Sequence, residues 1–141
     1  MSLEPGLYFI RNGDRAIGRL PQEDDSLEPK AVYVLPDIVE RPNFEIKKID
    51  SDNYTIVALG TPNGPTAQID NKVYALLEEQ DRAEKWRIVH VPQHGENSYI
   101  IRTNDQNESW FAPEGAEQQI RCRPFMPPVP PNEIFEIIRF F

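Results

Sequence analysis

A short motif used three times constrains this chain more than any other feature. Gly6-Leu7-Tyr8-Phe9-Ile10-Arg11-Asn12, Asp52-Asn53-Tyr54-Thr55-Ile56-Val57 and Asn97-Ser98-Tyr99-Ile100-Ile101-Arg102 each set a Tyr-x-Ile core behind a turn residue. The tyrosines stand 46 and 45 residues apart. A second motif, aromatic-charged-isoleucine, also recurs three times, as Phe44-Glu45-Ile46, Trp86-Arg87-Ile88 and Phe135-Glu136-Ile137. Such alternation turns the aromatic ring and the isoleucine to a buried face and the charge to solvent. Segments 32–35, 73–76 and 119–122 read as further strands, and the short runs 16–20, 67–69 and 108–112 fill the remaining slot. The result is three units of four short strands, at about 1–50, 51–93 and 94–141. Closing such units into a barrel with hairpin caps removes the sheet edges, and the two aromatic motifs fill the barrel in layers. The expected fold is an all-β trefoil forming one domain over 1–141, with Phe140-Phe141 in a last strand that meets the first. A single helical turn within 78–86 is the most that the pattern offers besides strands.

Composition narrows the partners. The 141 residues carry 15 lysines and arginines against 23 aspartates and glutamates, a net charge of −8. No basic stripe is available to replace counterions on a nucleic acid or to dock on an anionic membrane, so neither partner is expected. Fourteen prolines against seven glycines favour rigid turns over long helices. One cysteine forbids an internal disulfide, which leaves the core to supply the stability. The amino terminus lacks a basic region followed by an apolar run, so a cytoplasmic location is expected. Two glycosylation-type sequons, Asn53-Tyr54-Thr55 and Asn107-Glu108-Ser109, then read as incidental.

The inventory of reactive groups does not compose an active site. His90 and His94 lie four apart on a strand and a turn, where that spacing does not converge on a metal as it does on a helix. Cys122 sits between Arg121 and Arg123, yet alternation puts it with Ile120 on the inner face, as a buried thiol. The acidic residues scatter over strand exteriors and turns and read as solvated surface. Asp50-Ser51-Asp52-Asn53 lacks the glycine and distal glutamate of a calcium loop and reads as a hairpin turn. No cofactor, no metal and no enzymatic activity are expected.

Three loops carry the functional expectation instead. The first spans 21–29, opens and closes on proline, and holds Glu23, Asp24, Asp25 and Glu28 around the lone Leu27, with Ser26 between. Prolines at both ends lower the entropy lost when such a tip is presented to a partner. The second, 60–66, frames Asn63-Gly64 between Pro62 and Pro65, and its Asn-Gly step predicts a tight turn with an exposed asparagine. The third, 123–132, is proline-rich, and its apolar residues are expected to pack on the barrel end. Of the two tryptophans, Trp86 is expected in a core layer and Trp110 on a half-exposed strand face, where it would be free to stack on a sugar as in a lectin.

The opening Met1-Ser2-Leu3-x-x-Gly6-x-Tyr8-x-Ile10-x-Asn12-Gly13, followed by Glu23-Asp24-x-Ser26-Leu27-x-Pro29-Lys30, resembles the small mushroom serine protease inhibitors of the cospin type. That resemblance implies a disulfide-free basidiomycete β-trefoil that inserts the loop between its second and third strands into a target protease, and for an inhibitor working by an exposed loop a monomer is expected. Asp24, Asp25, Ser26, Leu27 and Glu28 would then be the candidate P1 residue and its neighbours. This chain departs from a trypsin-directed loop, because 22–29 contains no lysine or arginine for that enzyme's acidic S1 pocket. Leu27 would suit an apolar pocket and Asp25 a basic one, while a basic contact would have to come from Lys30, Arg19 or Arg123. The more distant resemblance to the mycocypins implies inhibition of cysteine proteases and asparaginyl endopeptidase, with Pro62, Asn63 and Gly64 as the contact.

Overall fold

The computed structural model describes residues 3–36, 41–115 and 117–140. The strands run β1 (Gly6–Asn12), β2 (Arg15–Gly18), β3 (Lys30–Ala31), β4 (Tyr33–Val34), β5 (Phe44–Lys48), β6 (Asn53–Ala58), β7 (Gly64–Ile69), β8 (Lys72–Ala75), β9 (Trp86–His90), β10 (Ser98–Thr103), β11 (Glu108–Phe111), β12 (Arg121–Pro124) and β13 (Phe135–Arg139). Among the described residues the helical content is three short 3-10 turns, Gln80–Arg82, Pro92–His94 and Pro131–Glu133. The first lies inside the segment where one turn was expected.

Antiparallel pairing closes a ring. β1 pairs with β5, β5 with β6, β6 with β9, β9 with β10, β10 with β13, and β13 returns to β1. The return has Tyr8 opposite Arg139 and Ile10 opposite Ile137, and the Phe140 amide continues it by donating to the Leu7 carbonyl at 2.9 Å. Phe141, expected in the same strand, lies outside the described residues. The other strands form hairpins across one end. β2 pairs with β4, β7 with β8 and β11 with β12, and they are joined through β3 to β8, β12 to β8 and a Tyr33–Gln119 bridge. Each third therefore gives two strands to the ring and a hairpin to the cap, which is the four-strand plan the repeats predict. Segment 32–35 is not one strand as read. It breaks at Val32, whose amide bonds the Val73 carbonyl, because the chain there passes from β8 on one side to β2 on the other.

The ring is filled as the motifs require. Tyr8, Tyr54 and Tyr99 are buried, as are Ile10, Ile56 and Ile101 and the layer of Phe44, Trp86 and Phe135. The Trp86 indole N–H donates to Thr66 Oγ1 at 2.8 Å, and that hydroxyl donates to the Ile56 carbonyl at 2.7 Å. Trp110 corrects the sequence reading. It is fully buried, edge-on to Trp86 at 5.4 Å and to Phe135 at 6.0 Å between ring centroids. Alternation fails in β11 because Ser109 and Trp110 are both inside, the first bonding a buried carboxylate and the second roofing the barrel. The three aromatic-x-Ile motifs are also unequal: Ile46 and Ile137 are buried, whereas Ile88 is only partly so. Deleting the Ile46 side chain in Ile46→Ala is expected to cost about 2–5 kcal/mol in denaturant unfolding, and Ile88→Ala about 1 kcal/mol. Equal losses would mean that the three motifs are energetically equivalent despite their different burial.

Candidate functional site: two loops on one buried arginine

Every residue from Pro21 to Pro29 is exposed, and the residues flanking that loop are not. β2 ends at Gly18, and the next side chain, Arg19, turns inward to 2% side-chain exposure. Its guanidinium forks onto Glu23, with Nε to Oε2 at 3.1 Å and Nη2 to Oε1 at 2.8 Å. At the far end Lys30, the first residue of β3, is also buried. Its ammonium binds the Asp24 carboxylate and lies 3.2 Å from both the Asp24 carbonyl and Ser26 Oγ. Asp24 in turn accepts the Ser26 amide at 3.0 Å and hydroxyl at 2.6 Å. A buried cation is costly unless paired and hydrogen-bonded. Here each cation finds its partner in the loop, so the energy of satisfying the stem also fixes the tip.

These contacts sort the candidate residues. Asp24 and Ser26 are internal braces. The hydrogen bond from Lys30, followed by those from Ser26, holds the Asp24 carboxyl down at about 2. Asp25 and Glu28 stand in solvent, and Leu27 is half-exposed above a groove lined by Ile69, Leu76 and Arg82. The basic residues weighed as trypsin contacts are committed elsewhere: Arg19 and Lys30 as described, and Arg123 to buried Glu133 at 2.7 Å and Asn132 at 2.8 Å. Glu133 and the two stem cations are the charged residues that a reading of charge as surface misses. Their signal, a charge flanking a proline-bracketed loop, is visible only once the stems are known to enter the barrel.

The second loop lies against the first. Arg19 Nη1 donates to the Pro62 carbonyl at 2.6 Å, on the same guanidinium that holds Glu23. Asn63 is exposed as expected, although its Oδ1 accepts the Gly60 amide at 2.9 Å. The expected Asn-Gly tight turn is absent. Gly64 is the buried first residue of β7, and a glycine is needed there because a Cβ would stand 2.8 Å from the Leu76 carbonyl oxygen. The third loop packs only in part. Phe125 lies under the Arg102 guanidinium at 3.9 Å and its amide bonds the Asn107 carbonyl, while Met126 is 73% exposed. His90 Nε2 meets the Glu96 carbonyl at 2.8 Å, and His94 is exposed on the turn that follows. Burial pushes the Cys122 thiol well above its ordinary range. Trp110, inside the core, is unavailable for stacking on a sugar.

The site is thus an exposed segment clamped at both stems on a closed all-β scaffold. The comparisons identify the family. The chain matches the model of peptidase inhibitor I66 over residues 1–139. It is 40% identical over 144 residues to a serine protease inhibitor of Lentinula edodes, covering 98% of this chain and 99% of that one. A proteinase inhibitor from Coprinopsis cinerea superposes with a TM-score of 0.82 at 30% identity, covering 99% of this chain and all of that one. The BEL β-trefoil shares the fold at a TM-score of 0.63 and 13% identity, over 98% of this chain and 95% of its own. The chain belongs to the peptidase inhibitor I66 family, whose relatives named here are inhibitors and not enzymes.

The Asp24–Lys30 clasp carries a pH signature. A carboxyl held below its free value of 3.8 contributes order that is present above that value and lost as pH falls through about 2. Glu84 moves oppositely, because burial holds its carboxyl above the ordinary range, so the readout must be local to the loop. The Ser26 amide resonance is expected to titrate with a midpoint near 2, and in Lys30→Met that midpoint should climb toward 3.8. An unchanged midpoint in the variant would show that Lys30 does not hold the carboxylate.

Proposed function

We propose that this protein is a β-trefoil serine protease inhibitor, a single domain over 1–141 acting as a monomer, which offers the loop 21–29 to the protease cleft. The observation that carries this reading is the clamp: a fully exposed loop whose two stems end on buried Arg19 and Lys30. A loop ordered before binding loses little entropy on docking. It also keeps the acyl-enzyme's leaving segment in place, so a cut bond is poised to reseal rather than drift apart. A protease would cover about 800 Å² of such a surface.

Within the loop, Leu27 is the residue best suited to an S1 pocket. Asp24 and Ser26 are spent on bracing, and Asp25 or Glu28 would bring a carboxylate into a desolvated site without a partner. Leu27 is the loop's apolar side chain, half-exposed, and fits the apolar S1 pockets of chymotrypsin-like and subtilisin-like enzymes. Trypsin-like enzymes are disfavoured, because reaching their pocket with Arg19 or Lys30 would unclamp the loop.

The experiment is a titration of chymotrypsin, subtilisin, trypsin and a glutamyl-specific protease with the protein and with Leu27→Lys. The wild type is expected to inhibit the apolar-pocket enzymes. Leu27→Lys should lose about a hundredfold against them and gain inhibition of trypsin, since lysine matches that pocket's carboxylate. Gain of trypsin inhibition by Asp25→Lys instead would move the primary contact to position 25.

A further inference from the structure

We propose that loops 21–29 and 60–66 form one protease-contacting surface, with Arg19 as the positioning residue that sets their spacing. The inference rests on the reading of 21–29 as the inhibitory loop, and it assigns a role to a segment that would otherwise be a turn or a separate inhibitory site. One guanidinium holds both loops at once. Nε and Nη2 grip the Glu23 carboxylate in the first, and Nη1 donates to the Pro62 carbonyl in the second at 2.6 Å. The side chain is almost wholly buried, so it is a fixed strut rather than a surface contact. Backbone space is cleared for it. A Cβ at Gly60 would lie 2.4 Å from Arg19 Nη1 and displace the guanidinium, and the Gly60 amide is occupied by Asn63 Oδ1.

Through this strut Pro62 of the second loop is held near Glu23 of the first, and its neighbours Thr61 and Asn63 are exposed there. A protease footprint of standard size, about 800 Å², is far wider than the span of one guanidinium. An enzyme seated on 21–29 therefore meets 61–63 as well. Two enzymes cannot occupy the two loops of one molecule at the same time. The tip of 60–66 then contributes to the choice of serine protease through the rim of its cleft, where charge and shape set association and specificity.

The test uses whichever serine protease the wild type inhibits. Asn63→Arg adds bulk and charge on the second loop. Asn63→Ala controls for the lost bond from the Gly60 amide and should change inhibition less than Asn63→Arg. Gln93→Arg makes the bulk-and-charge change on the exposed 92–94 turn. Asn63→Arg is expected to change the inhibition constant at least about tenfold, and Gln93→Arg less than about twofold. Arg19→Gln and Gly60→Ala are both expected to weaken inhibition and to raise the rate at which the protease clips 21–29, while barrel amides keep their exchange protection. Arg19→Lys keeps the charge but offers a point donor in place of the fork, so it should resemble Arg19→Gln. Rescue by lysine would reduce Arg19 to a buried charge and overturn its positioning role. Wild-type inhibition by Asn63→Arg would overturn the shared surface while leaving the inhibitor reading intact. A wild type that inhibits no serine protease would remove both readings, and that result appears before any variant is made.

Discussion

Closure of the ring by β1 and β13 is the constraint on which the other features depend. The strands that meet there come from the two ends of the chain, and until they pair, the layers of tyrosine, isoleucine and larger aromatic side chains have no complete wall around them. Once they pair, the barrel has no free edge, and short strands of five to seven residues suffice because each is held on both sides. The hairpins of the cap are likewise bonded to one another around the end of the barrel. Connections into and within the cap are thereby pushed outward, and 21–29, between β2 and β3, and the start of 60–66, between β6 and β7, are two of them. The presentation of loops follows from the geometry of closure, before any question of what they bind.

Much of this plan is legible in the sequence, because barrel strands obey a strict period of two and the three copies reinforce one another. Tyr8, Tyr54 and Tyr99 reveal the ring, and Phe44, Trp86 and Phe135 reveal its filling, each by a side chain too large to be accommodated anywhere else. The misreadings fall where a residue's environment comes from a distant strand. Trp110 is roofed over by cap packing that no local pattern encodes. Gly64 looks like the second half of an Asn-Gly turn, although its lack of a side chain serves a close approach to the Leu76 carbonyl. Segment 32–35 looks continuous until the chain is seen to change neighbours at Val32.

The candidate site was legible as a place and illegible as a mechanism. Prolines bracket 21–29 plainly, and they do help to restrict it. The stronger restraint comes from Arg19 and Lys30, which lie just outside the prolines and would ordinarily be assigned to solvent. Burial of those two side chains is affordable only because Glu23 and Asp24 reach back to them. Half of the loop's acidic character is thus internal wiring, and Asp25 and Glu28 stand in solvent as its unbraced charges.

The clamp divides the loop into two populations of residues with different freedom to change. Arg19, Glu23, Asp24, Ser26 and Lys30 are bound to one another, so a substitution at any of them disturbs its partners. Asp25, Leu27 and Glu28 are exposed, and their side chains take no part in the brace. Sequence drift at these three positions is nearly free of folding consequences, while each change alters the exposed face that we propose meets a protease. On the proposed reading, a lineage carrying this scaffold could follow a changing set of enzymes by single substitutions, and the fold would register almost none of that history.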